Sequence, residues 1–180
     1  MKITICALLL LAGTAFADNK LQLSRVGPAE PAPTIASSVS KCASNEHTRW
    51  IEVKLDARKV ELLHECGSAD AHAKLAFEAK DGKGVHVYTS AVLDKIQWPP
   101  EVMTIGKLKG GKKALLHRVD LRIEDQATSR IDVCTFDSDG MPKCGHAEVT
   151  CPETGCKPPE IMKGALWIHA KDGRKRYVIE

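Results

Sequence analysis

Alternation limits this chain more than any other feature. From Ile51 the residues run Ile-Glu-Val-Lys-Leu-Asp, with apolar side chains at 51, 53 and 55 and charged ones at 52, 54 and 56. A period of two sends alternate side chains to opposite faces of an extended chain, so the segment reads as a strand with one wet face. Val60, Leu62, His64 and Cys66 repeat the pattern after a turn at 56–58, and Leu75, Phe77 and Ala79 start it again. Val85, Val87 and Thr89 follow across Asp81-Gly82. A three-residue loop there would set Phe77 against Val87 and Ala79 against Val85, keeping apolar faces together.

Further strands are expected over 102–109, 115–124, 130–136 and around 147–151. The chain then closes with a hairpin, 164–171 into 174–179, turning at Asp172-Gly173. Successive short strands joined by Gly-containing turns, with no ten-residue helical stripe, predict an all-β, mainly antiparallel fold. We expect a single-domain sandwich or barrel with short helical turns at most, around 68–76 and 89–95.

The start of the chain is an address. Lys2 precedes an apolar run from Ile3 to Ala12 broken only by Thr4, and Ala15-Phe16-Ala17 has the small-x-small pattern of a cleavage site. Residues 1–17 therefore read as a signal peptide, too short for a span that needs roughly 20 apolar residues. Leu11-Ala12-Gly13-Thr14 lacks the cysteine of a lipoprotein box, so no lipid anchor is expected. Residues 18–40 are rich in Ala, Pro and Ser, with Pro28, Pro31 and Pro33 close together, and are expected to form a flexible arm before a domain at 41–180. The expected location is periplasmic or secreted, with no transmembrane span.

Export changes the reading of cysteine. Cys42, Cys66, Cys134, Cys144, Cys151 and Cys156 follow the signal, an even number in an oxidising compartment, and are expected to form three disulfides. Locality favours Cys42 with Cys66, Cys134 with Cys144 and Cys151 with Cys156. The run Cys144-Gly145-His146 does not have the spacing of a zinc ribbon.

Chemistry-bearing motifs are sparse. Gly-x-Ser-x-Gly is absent, and Ser38-x-x-Lys41 lacks the companion motifs of the penicillin-binding enzymes. Asp137-Ser138-Asp139-Gly140 begins like a calcium loop without its distant glutamate, and Glu124-Asp125 reads as a solvated turn. His64 and His117 are the exceptions, because each lies on an otherwise apolar strand face. If they met inside the fold, near Glu65 or Asp120, they could hold zinc or copper; the plainer reading is a neutral histidine hydrogen-bonded to backbone.

The formal net charge is +3, and removing the signal takes Lys2 from it, leaving +2. Bulk charge therefore selects no partner, but its distribution is uneven. Lys107, Lys109, Lys112 and Lys113 crowd one Gly-rich turn, and Arg174, Lys175 and Arg176 crowd the last hairpin. Together they could face an anionic envelope polymer or an exported protein, whereas the lack of aromatics beside the first cluster disfavours nucleic acid. The sequence thus points to an exported, non-catalytic binding or structural protein of the bacterial envelope, with no cofactor expected. Alternatives are a metal-dependent enzyme or carrier using His64 and His117, and an inhibitor presenting a disulfide-closed loop.

Overall fold

A computed structural model of the chain describes residues 19–32, 35–36, 47–66, 71–93, 101–123 and 126–180, and most of that is strand. The signal peptide and the expected Cys42–Cys66 bridge lie outside the described residues. Three mostly antiparallel sheets are formed. One contains, in spatial order, β2 (Ser24–Arg25), β11 (Pro142–Thr150), β10 (Gln126–Phe136), β9 (Lys113–Ile123) and β8 (Glu101–Lys107). A second runs β3 (Ile35–Ala36), β4 (His47–Leu55), β5 (Arg58–Cys66), β6 (Ala71–Glu78) and β7 (Val85–Leu93). The third runs β1 (Asn19–Leu21), β14 (Gly173–Ile179), β13 (Ala165–Ala170) and β12 (Glu160–Met162).

Packing makes the β8–β11 sheet the middle layer. Its Leu115, Val119, Cys134 and Phe136 meet Leu55, Leu62, Leu75 and Phe77 of the β3–β7 sheet in one core. From its other face, Leu116, Ile131, Val133 and Val149 meet Leu166 and Ile168 in a second core. Burying a leucine or isoleucine of this kind contributes roughly 1.5–3 kcal/mol. Two staples confirm the local pairings: Cys134–Cys144 bridges residues directly opposite on β10 and β11, and Cys151–Cys156 closes a small ring after β11. No helix among the described residues is long and apolar enough to cross a membrane. The two disulfides fit an extracellular or periplasmic protein.

Residues 19–30, within the segment expected to be a flexible arm, instead form a strap joining the layers. β1 pairs parallel with β14, β2 pairs with β11, and Glu30 bridges Val85. Leu21 and Leu23 enter the second core and Val26 the first. Arg25 is clamped by Asp137, at 2.7 Å from Nε, and by Asp139. These acids, which could suggest a calcium loop, thus hold the strap, while Asp137 also accepts backbone N–H bonds from Asp139 and Met141. Three apolar side chains in a polar, proline-rich stretch suffice to dock it, and an extended proline-bearing segment suits a sheet edge.

Two local expectations also change. β6 and β7 are the strands expected around 75–79 and 85–89, but each extends into a stretch where a helical turn was expected, and their register sets Phe77 opposite His86 and Leu75 opposite Tyr88, not Phe77 opposite Val87. The reason is that β7 turns His86, Tyr88 and Ser90 inward, while Val85 and Val87 join Leu63 and Ala76 in a small cluster on the outer face. In the last hairpin Ala170 pairs with Gly173, so the connecting residues are Lys171 and Asp172.

Candidate functional site: a buried histidine–carboxylate cluster and a lysine-rich end

Between the middle and β3–β7 sheets the apolar core gives way to charge. His117 on β9 is directly opposite Asp132 on β10, and both are fully buried. His117 Nδ1 lies 3.0 Å from Asp132 Oδ2, and its Nε2 lies 3.1 Å from Glu101 Oε1 on β8. The second Glu101 oxygen is 2.5 Å from His64 Nε2, delivered from β5 across the layer boundary. Asp132 is further held by the Ser90 hydroxyl, by the Tyr88 hydroxyl at 3.1 Å and by Arg130 Nε at 3.2 Å. Buried carboxylates persist only when their lone pairs are matched in this way.

Geometry assigns the proton. Each nitrogen of His117 faces a carboxylate oxygen, so both must donate and the ring is an imidazolium. Burial alone would pull its pKa down, but hydrogen bonds to Asp132 and Glu101 outweigh that and hold it above the usual histidine value. Burial likewise pushes Glu101 and Asp132 up. The bonds from His117 and His64 to Glu101, and from His117 and Ser90 to Asp132, together with the Arg130 charge, leave both acids below their ordinary range. The Tyr88 phenol, buried and beside Asp132, is pushed up to about 12.

This arrangement does not activate a nucleophile. A serine triad needs an imidazole lone pair facing the hydroxyl, whereas Ser90 Oγ lies 3.2 Å from a His117 nitrogen whose hydrogen is directed at Asp132, and donates its own proton to Asp132. What the cluster does is tie β5, β7, β8, β9 and β10 together through charge-assisted bonds. His64 and His117 are therefore brought together, as the metal reading required, but on the two oxygens of one carboxylate. Among the described residues, no group of three or more His, Cys, Asp or Glu side chains could hold a metal ion.

Asp120, the acid nearest His117 in sequence, is not its partner. Asp120 accepts from Ser129 at 2.8 Å and from Arg118 at 3.1 Å instead. Glu101, Asp132, Ser90, Tyr88 and Arg130 were missed; the available signal was that Asp132 shares strand parity with the apolar Cys134 and Phe136.

The basic residues divide into two places. Lys107 and Lys113 are direct cross-strand partners where β8 meets β9, with Lys109 and Lys112 in the turn between them. Gly164 packs on this turn so closely that a Cβ there would lie 2.7 Å from Lys109 Cβ, and its φ of +76° suits glycine alone. That contact brings Lys163, the residue before Gly164, next to Lys109 of this turn. All five lysines are exposed. Lys20, Lys59 and Lys175 each have a carboxylate within 3.3 Å, but among the described residues none of these five has one.

Arg174, Lys175 and Arg176 lie on β14 and have partners of their own. Arg174 is opposite His169 in backbone register, and its guanidinium reaches Met162 Sδ at 3.9 Å, one residue before Lys163. It donates to Glu160 at 2.8 Å and lies over the Trp167 ring at 4.8 Å. Arg176 flanks the same ring at 6.0 Å, and Lys175 pairs with Asp172 at 3.1 Å. No family model matches the chain, and neither a curated protein nor a solved structure matches it.

Proposed function

We propose that this is an exported, non-catalytic binding protein whose lysine-rich end contacts an anionic polymer of the cell envelope. The observation that carries the reading is the direct opposition of Lys107 and Lys113 within a cluster of five exposed lysines. Like charges facing each other across strands are destabilising, and a fold that keeps them together without carboxylates leaves a concentrated positive field for a partner to neutralise. The His117 cluster supplies rigidity behind it, since β8 and β9 carry both the clamp and the lysines.

Charge reversal tests this. The K107E/K109E/K112E/K113E variant should elute from lipopolysaccharide or heparin at clearly lower salt than wild type, with stability changed by no more than about 0.5 kcal/mol per substitution. Wild-type retention should itself fall steeply above about 0.15 M salt, where the screening length is about 8 Å. Equal elution of the two proteins would reduce the cluster to a solvated turn.

A further inference from the structure

A cleft of about 600 Å³ opens between the strap and strands β7, β10 and β11. Its volume is that of a small-molecule site. Polar groups come from Lys20, Gln22, Ser24, Tyr88, Thr89, Arg130 and His146, and among the described residues no acidic one lines it. The carboxylates that balance its cations stand outside the lining. Asp132 lies fully buried against Arg130 Nε, Glu148 takes Nη1 at 3.0 Å, and Glu180 pairs with Lys20 at 2.9 Å.

That arrangement prepares Arg130 for a ligand. Its guanidinium is fixed by two carboxylates and by the Tyr88 hydroxyl, and the N–H donors beyond these three contacts can meet a planar oxyanion without further ordering. Tyr88 gives its proton to Asp132 and its oxygen accepts from Arg130, which leaves one lone pair able to accept from a ligand hydroxyl. The wall opposite is also fixed. A Cβ at position 145 would lie 2.3 Å from the Gln22 carbonyl, so the strap is pressed against β11 where only glycine admits it.

We propose that this cleft binds a small, sugar-sized organic oxyanion, with its carboxylate or phosphate on Arg130 and its hydroxyls on Tyr88 and the neighbouring Ser24 and Thr89. The site is separate from the lysine-rich end, and neither depends on the other.

Titration of the isotopically labelled protein, followed by amide NMR, decides the matter with three probes: glucuronate, glucose 1-phosphate and glucose. Saturable shifts at Thr89, Gly145 and His146 are expected with at least one of the two anions, at a Kd of about 1 mM or tighter, and the anion that binds identifies carboxylate or phosphate. Arg130→Gln should abolish the shifts, although Arg130 also supports Asp132. The Ser24→Ala/Thr89→Ala variant therefore provides a second test at the rim of the cleft, with an expected loss of about tenfold, since two hydrogen bonds at about 0.5–1.5 kcal/mol each are removed. The proposal fails if glucose shifts the same amides equally, if neither anion gives saturable shifts, or if the rim variant keeps full affinity.

Discussion

Raising the pH should loosen this protein well before any lysine titrates. His117 is held above its ordinary pKa by Asp132 and Glu101. A group whose folded pKa exceeds its unfolded value contributes its full stabilisation below the unfolded value, about 6.5 for histidine, and loses it as pH climbs through the folded one. In that window the folded chain holds one proton more than the unfolded chain, so unfolding free energy should fall by up to about 1.4 kcal/mol per pH unit. Glu101 and Asp132 have the opposite sign. Their folded pKa values are depressed, so their contribution is present above about 4 and is lost as pH falls through the folded values. From this cluster, stability should be highest between about pH 4.5 and 6.5 and decline on both sides. Urea unfolding at constant ionic strength from pH 5 to 9 would measure the alkaline limb, and Asp132→Asn is the control. That substitution retains hydrogen-bonding atoms but removes one of the two charges holding the imidazolium, so the loss should be completed at lower pH than in wild type. A wild-type unfolding free energy that is flat or rising from pH 6.5 to 9 would refute the assignment of His117 as a buried imidazolium.

Two further outcomes follow from the same geometry. Lys113→Glu should raise stability by about 0.2–0.5 kcal/mol, measured by urea unfolding, because it turns a repulsive cross-strand pair with Lys107 into an attractive one, while lowering the salt needed to elute the protein from heparin. Gly145→Ala should destabilise by about 1–3 kcal/mol, as forced contacts do, because the new methyl would displace the Gln22 carbonyl; limited proteolysis should then cut the strap near 22–24 faster than in wild type.

How far the sequence could be read depends on how many faces of each sheet are buried. In β4 to β6 alternation identified the strands, and His64 stood out because it shared an inward face with Val60 and Leu62. In the middle sheet the same rule misleads. Ile131 and Val133 on β10 face one core, so the intervening Arg130 and Asp132 look like a wet face, yet Cys134 and Phe136 on that same parity lie in the other core. Alternation there separates two interiors instead of an interior from water, and a charged residue on the second face is indistinguishable by period from a solvent-exposed one. Asp132 is therefore legible only after its cross-strand partner is known to be His117. The strap escaped for a related reason: Leu21, Leu23 and Val26 are divided between two cores, so no single face shows a stripe long enough to register. Both omissions arise from the third layer, which creates a second core for the middle sheet and needs a strap to cross between them.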